Sequence, residues 1–398
     1  MSGIRTLDQI DLQGKRVLLR VDLNVPVGNG TVSDATRIER MAATILEIAN
    51  KGGKVILLSH FGRPKGPDPK ESLRPVAAEV ARVIKRPVAF VDDCIGAKAE
   101  AAVQALRAGD ILCLENTRFH AGEEKNDPAF AAALARLGDI WVNDAFSVSH
   151  RAHASTEGLG HILPAYAGRA MEAELAAFGK VLDSPQRPLA AVVGGAKVST
   201  KLALLGNLVQ RVNVLIIGGG MANTFLAAQG KDVGQSLCEH DMTQTARDIL
   251  QQAREKDCEI VLPVDAVVAR KFEANAPSRV VAVDDVGQGE MILDIGPRSI
   301  EHVISVLGRV KTLVWNGPFG AFELEPFDTG TIEVAEAAAE LTAAGKIVSV
   351  AGGGDTVAAL NTAGVTERLT YVSAAGGAFL EWLEGKPLPG VQVLRTKC

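Results

Sequence analysis

The chain has 398 residues, 47% of them hydrophobic and 22% charged, enough for two or three domains with ample cores. A formal net charge of −5 with only 4% aromatic residues excludes the basic footprint and stacking platforms of a nucleic-acid binder. No apolar stretch has the length of a membrane span, and the start has no signal-peptide core, so a cytoplasmic, membrane-free protein is expected. Along the chain, apolar runs predict strands near 16–22, 54–59, 88–92, 110–114 and 140–143. Between them, helical periodicity falls near 36–51, 73–86, 97–107 and 127–137. After a helical segment at 170–182 and a Pro-containing break at 183–188, the rhythm returns. Strands are then expected near 189–193, 212–217, 259–263, 311–315, 346–350 and 369–373. The accompanying helices are expected near 198–210, 240–256, 299–307, 331–344 and 355–362. Continuous Val/Ile/Leu runs alternating with helices imply two doubly wound parallel-sheet domains joined by a helix. Five scattered cysteines (Cys94, Cys113, Cys238, Cys258, Cys398) with no C-x-x-C pair argue for reduced thiols.

Open parallel sheets bind ligands beyond the carboxyl ends of their strands. In the first half those positions read Arg20-Val-Asp22-Leu-Asn24, His60-Phe-Gly-Arg63, Glu115-Asn-Thr-Arg118 and Asn143-Asp144…His150-Arg151-Ala-His153. Arg37 opens the first helix after the turn-rich Gly28-Asn29-Gly30. Several arginines at one sheet edge repel one another unless an anion joins them, and the guanidinium fork suits phosphate or carboxylate. The plainer alternative pairs these arginines with Glu39, Glu115 and Asp144 as structural ion pairs. A metal on His150 and His153 has little support, since no third ligand stands at a suitable spacing.

In the second half the strand ends carry glycine: Gly194-Gly195-Ala-Lys197…Lys201, Gly218-Gly219-Gly220, Asn316-Gly317-Pro318…Glu323, Gly352-Gly353-Gly354-Asp355-Thr356 and Ser373-Ala374-Ala375-Gly376-Gly377. Glycines let backbone N–H groups close on a phosphate, and a helix N-terminus adds partial positive charge. Asp355 stands where magnesium bridging phosphates needs a carboxylate. Lys197 and Lys201, four apart, share one face if helical. Each glycine alone is equally a tight turn. Neither a Walker A loop nor a GxGxxG occurs, which sets aside P-loop and nicotinamide-dehydrogenase readings.

Taken together, RVDLNVP (20–26), SHFGRP (59–64), LENTRFH (114–120), NDAFSVSHRAH (143–153), GGAKVSTK (194–201), WNGPFGAFE (315–323) and GGGDT (352–356) resemble the phosphoglycerate kinases, from the first strand to the C-terminus. The resemblance implies a triose-binding domain over 1–169 plus a returning 378–398, an interdomain helix at 170–183 and a nucleotide domain at 184–377. It implies a monomer acting on 3-phosphoglycerate or 1,3-bisphosphoglycerate and on ADP or ATP, with Mg2+. By motif, Asp22, Asn24, Arg37, His60, Arg63, Arg118 and Arg151 would hold the triose. Gly194, Lys197, Lys201, Gly219, Gly220, Asn316, Pro318, Glu323, Gly353, Gly354, Asp355 and Thr356 would hold the nucleotide, with Asp355 on the metal. Arg37, Lys197, Gly353 and Gly376 would act on the transferring group. One departure stands at Ala374, where the family usually carries threonine; the backbone donors of Gly376 and Gly377 remain. A non-catalytic metabolite sensor is the competing reading, and it would not need these phosphoryl clamps.

Overall fold

A computed structural model describes residues 3–28 and 30–395, except the side chains of residues 182 and 183. Asn29, Cys398 and the last residues of the expected returning segment therefore lie outside the described residues. The chain divides into two compact units: one runs to Ala176 and resumes at Pro387, and the other is Ala177–Lys386.

In the first unit, β1 (Arg16–Arg20) leads through a short hairpin, β2 (Val27–Gly28) and β3 (Thr31–Val32), into α1 (Thr36–Asn50). There follow β4 (Lys54–Leu58), α2 (Arg74–Ile84), β5 (Ala89–Phe90), α3 (Gly96–Gln104), β6 (Ile111–Cys113), α4 (Pro128–Ala135), β7 (Ile140–Asn143), α5 (Leu159–Ile162) and β8 (Ala165–Ala167). Helix α1 forms because Ile38, Met41, Ile45 and Ile48 recur on one buried face. At α4, Asp127 caps the first turn by accepting the Phe130 N–H at 2.8 Å, with Pro128 set for the first helical position. The strands pair in parallel in the order β5-β6-β4-β1-β7-β8. Val17, Leu18 and Leu19 of β1 are fully buried, as a central strand covered on both faces requires.

Helix α6 (Arg169–Phe178) leads into the second unit. That unit contains β9 (Leu189–Val193), α7 (Leu202–Val209), β10 (Val214–Ile217), α8 (Gly219–Ala228), α9 (Thr243–Glu255) and β11 (Glu259–Val261). Next come β12 (Asp265–Ala269), β13 (Ser278–Ala282), β14 (Met291–Ile295), α10 (Pro297–Leu307), β15 (Thr312–Asn316) and α11 (Thr329–Ala343). β16 (Val348–Gly352), α12 (Gly354–Thr362), β17 (Tyr371–Ser373) and α13 (Gly376–Leu383) complete it, and α14 (Pro389–Gln392) belongs to the first unit. The parallel sheet runs β11-β10-β9-β15-β16-β17. Counted within that sheet the order is 3-2-1-4-5-6, which places the topological switch point between β9 and β15.

Besides the short elements α5, β8, α13 and α14, which the sequence reading did not expect, three larger features depart from it. Residues 264–298, expected to be without elements, carry the antiparallel sheet β13-β12-β14. β13 is largely exposed, with Val280 at 54%, and the buried β12 and β14 each carry an aspartate, so none offers the continuous apolar run that marks the main strands. Helix α8 was also unforeseen; it begins at the second glycine of Gly218-Gly219-Gly220. Lastly, the chain re-enters the first unit at Pro387 and not at 378. Helix α13 stays in the second unit because it buries Phe379 and Leu383 there, with Phe379 and Trp382 packed on Phe178.

Candidate functional site

The carboxyl ends of β1, β4 and β6 gather the basic residues of the first unit. Arg20, ending β1, is buried; its Nε donates to Ser155 Oγ at 2.9 Å and its Nη2 lies 3.1 Å from His60 Nδ1. Burial, reinforced by Arg20, Arg118, Arg151 and His153, holds the His60 imidazole well below its usual range. Burial and the same arginines lower His153 to about 4. Arg118 is also buried. It donates to the Gly62 carbonyl at 2.6 Å, and its Nε lies 3.2 Å from Glu124 Oε1, an ion pair off line for a hydrogen bond. Burial lowers its pKa too, with Arg151 and Arg63 adding repulsion. Arg63 is exposed, and Arg151 is half-buried with its Nε on His150 Nε2 at 3.3 Å. These groups therefore lie close enough to oppose each other's charge.

Two polar residues frame the cluster. Asp22 accepts from Arg37 Nη1 at 2.8 Å, from Ser147 Oγ at 2.5 Å and from the Asn24 N–H at 3.1 Å. Asn24 Oδ1 accepts the Gly62 N–H at 2.9 Å. Arg37, which also donates to the Asn24 carbonyl, keeps 40% of its side chain exposed. Two of the acids named as alternative partners, Glu115 and Asp144, are engaged elsewhere. Glu115 accepts from Ser72 Oγ, the Leu73 N–H and the Asn116 N–H, fixing the start of α2. Asp144 accepts the Met171 N–H, and burial raises it to about 6. The sequence reading overlooked Ser147, Ser155 and Glu123, which accept from or orient the buried arginine and aspartate. All three lie within or beside the quoted motifs, so only their contacts were hidden.

In the second unit the loops after β9 and β15 meet at the switch point. The Gly194 N–H donates to the Asn316 carbonyl at 2.9 Å. A Cβ on Gly194 would stand 1.9 Å from the Pro318 oxygen, so no other residue fits without moving backbone. Lys201 Nζ reaches the Gly194 carbonyl and Asn316 Oδ1, both at 2.6 Å. Burial lowers its pKa to about 8, and the Asp355 carboxylate pulls the other way. Asn316 Nδ2 donates to the Gly352 carbonyl at 2.8 Å, and the Gly317 N–H donates to Thr356 Oγ1 at 2.7 Å. Gly353, with φ +104°, caps α12; Gly354 and Asp355 form its first turn. A Cβ on Gly376, at the start of α13, would lie 3.7 Å from the Gly354 nitrogen, so two helix N-termini converge here.

A cleft of about 490 Å³ opens beside this junction, lined by Gly219, Gly220, Pro318, Glu323 and Asp355. Its apolar walls include Leu237 and Phe272, which are 52% and 65% exposed. Large apolar groups left open in a polar-rimmed cleft suit a flat ligand face. The antiparallel strands supply one wall through Met291 and Leu293. There Asp294, raised to about 8 by burial, accepts the Gly330 N–H at 2.7 Å and fixes the start of α11. Glu323 and Asp355 are exposed, and Asp355 makes no hydrogen bond or ion pair among the described residues.

The paired-lysine expectation fails in one respect. Helix α7 starts at Leu202, so Lys197 and Lys201 lie in the turn before it and share no helical face. The turn persists because Ser199 is held from outside: its N–H and hydroxyl both donate to Glu239, at 2.9 and 2.5 Å. Lys197 is exposed whereas Lys201 is turned inward. Elsewhere in the described residues, Asp93, Cys94 and His120 bring three metal-ligand atoms within 4.8 Å. There His120 Nε2 already sits 2.8 Å from Asp93 Oδ1, which also accepts the Cys94 N–H, so a hydrogen-bonded pair accounts for the grouping.

Comparison with known proteins agrees with the motifs. The family model described as phosphoglycerate kinase matches residues 7–386. The chain is 66% identical over 393 residues to the phosphoglycerate kinase of Rhodopseudomonas palustris, covering 99% of each chain. It is 64% identical over 399 residues to that of Methylorubrum extorquens, covering both completely. Among solved structures, the phosphoglycerate kinase of Coxiella burnetii superposes with a TM-score of 0.91 at 40% identity and 98% coverage of each chain. That of Pyrococcus horikoshii gives 0.83 at 30% identity, again with 98% of each chain covered. With a family model spanning nearly its whole length and full-length relatives at this identity, the chain belongs to the phosphoglycerate kinase family of phosphotransferases.

Proposed function

We propose that the chain transfers a phosphoryl group reversibly from 1,3-bisphosphoglycerate to ADP, giving 3-phosphoglycerate and ATP. The observation that carries this reading is the pair of dissimilar anion sites, one in each unit. The first unit offers a triose phosphate the cations of Arg63, Arg118 and Arg151 and the neutral imidazole of His60, with Asp22 and Asn24 for a hydroxyl. The second offers a nucleotide the apolar cleft, Glu323 for the ribose, and the backbone of Gly220, Gly353 and Gly354 for phosphates, while Gly194 and Gly219, whose N–H groups bond Asn316 and Phe319, let the loops beneath close up. Asp355, an exposed and uncommitted carboxylate on the cleft wall, suits a hard oxygen-preferring cation and would hold Mg2+ with the nucleotide phosphates. Bound there, Mg2+ would neutralise phosphate charge.

A carboxylate is the leaving group in one direction and the nucleophile in the other. It is ionised at pH 7, so no general base is required. The chain's own contribution is positioning and charge stabilisation. Arg37, held by Asp22 yet partly exposed, and Lys197, exposed on its turn, clamp the transferring group; Gly353 and Gly376 add N–H donors. Thr356 and Lys201 brace the loops around Asn316 and Pro318. Because each reactant has its own unit, the reaction requires closure, with flexing at residues 170–183 and at the return after Lys386. Four unpaired cysteines among the described residues accord with a reducing cytoplasm, and the family resemblance extends the reading to a monomer.

A coupled assay with 3-phosphoglycerate and Mg-ATP tests this, with Asp355→Ala as control. Turnover that the substitution abolishes is the expected result. Binding of both ligands without turnover would favour a sensor instead.

A further inference from the structure

The family resemblance assigns Lys197 to the transferring phosphoryl group, and the turn bearing it has few bonds of its own. Within residues 197–201 there are the Lys201 N–H to the Val198 carbonyl at 2.9 Å and Thr200 Oγ1 to the Lys197 carbonyl at 2.8 Å. Lys201 Nζ ties the end of the turn to the Gly194 carbonyl and Asn316, and its middle is anchored from forty residues away. Glu239 Oε2 accepts the Ser199 N–H and Oε1 its hydroxyl, with the Val198 N–H also turned to the same carboxylate. The Glu239 N–H in turn donates to Thr224 Oγ1 at 3.1 Å. Thr224 is fully buried in α8, the helix whose first residues, Gly219 and Gly220, line the cleft. Leu237, two residues before Glu239, forms part of the same cleft wall.

We propose that Glu239 is a positioning residue for phosphoryl transfer, fixing the Lys197 turn to helix α8 and to the wall of the nucleotide cleft. This rests on the kinase reading of the second unit. A turn preceding a helix presents outward-pointing N–H groups; a carboxylate satisfies them with charge-assisted bonds stronger than neutral ones. Against a burial that would raise it, the Ser199 hydroxyl and the two backbone N–H groups hold the Glu239 carboxyl below its usual range. The anchor is therefore ionised at neutral pH. Lys197 also attracts this carboxylate and makes no ion pair among the described residues, so its side chain is left for a ligand while its backbone is pinned. Losing the anchor frees the turn, and each turnover must then re-order Lys197.

The test is steady-state kinetics on the full chain for Glu239→Gln, Ser199→Ala, Lys197→Ala and the Lys197→Ala/Glu239→Gln double variant, with Tm recorded for each. Glu239→Gln should lower kcat/KM for Mg-ATP about tenfold, since misplacing a clamp is costly even from a distance. Ser199→Ala should lose a smaller part, and KM for 3-phosphoglycerate should not move. In the Lys197→Ala background Glu239→Gln should cost nothing more. Kinetics of Glu239→Gln within about twofold of wild type, or an undiminished loss without Lys197, would overturn the proposal. Mg-ATP calorimetry on the same proteins separates it from the kinase reading. A wild type without turnover, but with binding weakened through Glu239 and Lys197, sinks the kinase reading and leaves Glu239 as a positioning residue for nucleotide binding; unchanged binding sinks both.

Discussion

Strand ends in the first unit carry buried cations, whereas those in the second carry glycine. Arg20 and Arg118 are side-chain charges held below the surface by Ser155, the Gly62 carbonyl and the neutral His60 ring. Gly194, Gly219, Gly317 and Gly353 provide no side chain, and three of them hold positive φ. The first arrangement stores repulsion that an anion relieves; the second lets backbone segments close on one another, with the Gly194, Gly219 and Gly317 N–H groups bonded to Asn316, Phe319 and Thr356, and brings the N-termini of α12 and α13 together to face an anion. The difference matches the proposed ligands. A small acid phosphate offers few handles and needs charge, while a nucleotide brings an apolar base and a flexible phosphate chain that a dipole-lined cleft can follow.

The contrast breaks most sharply if the arginine held by Asp22 in the first unit is removed. Arg37→Ala should lower kcat by about 10²–10³, as removal of a preorganised donor does, with KM for Mg-ATP unchanged. An unchanged kcat would take Arg37 out of the mechanism. In the second unit the corresponding blow is steric. A Cβ at Gly194 would meet the Pro318 oxygen at 1.9 Å and the Gly317 carbon at 2.7 Å, backbone atoms that cannot rotate aside. Gly194→Ala should destabilise by about 2–4 kcal/mol in urea titration and weaken nucleotide binding, leaving triose affinity intact. Full stability would mean the β9–β15 junction yields more easily than its packing implies.

These two experiments also mark what the sequence made legible. The parallel strands were readable because strands covered on both faces are uninterrupted Val/Ile/Leu runs. Arg118 and Asp355 were readable as strand-end residues because the parallel topology fixes where ligands go. The antiparallel sheet was hidden since Val280 and its neighbours face solvent and break the pattern. The turn at Lys197–Lys201 was hidden for another reason: helical spacing is a local signal, and the bond that overrides it comes from Glu239, forty residues on. Likewise the return expected at 378 begins only after Lys386, because Phe379 and Trp382 pack on Phe178, a contact that no local signal announces.

A smaller effect separates the units by pH. Unfolded, imidazoles protonate near 6.5; folded, His153 does so only at about 4, because burial and the Arg118, Arg20 and Arg151 charges oppose it. His60 is depressed as well, for the same kind of reason. Between these values the unfolded chain binds more protons, so stability falls as pH drops from 6.5 towards 4, and above 6.5 the effect vanishes. Thermal unfolding at pH 7, 5.5 and 4.5 should show His153→Gln losing less than wild type. Bound 3-phosphoglycerate should narrow the gap, since an anion favours charged imidazole. Parallel curves for the two proteins would mean His153 titrates normally when folded.

The smallest expected change asks why the second unit needs its glycines at all. At Gly194 and Gly317 the protein's own backbone leaves no room, and at Gly353 a positive φ excludes most side chains. Gly354 differs: an added Cβ would meet nothing within 4 Å, and its φ is not in the left-handed region. Folding therefore makes no demand for glycine there, and Gly354→Ala should change stability by less than about 0.5 kcal/mol. If a phosphate closes on the N-terminus of α12, the same methyl stands in its way, and KM for Mg-ATP should rise although Tm stays put. A variant with both quantities unchanged would show that open space, and not a ligand, faces that turn, and the phosphate cradle would have to be sought among the other glycines.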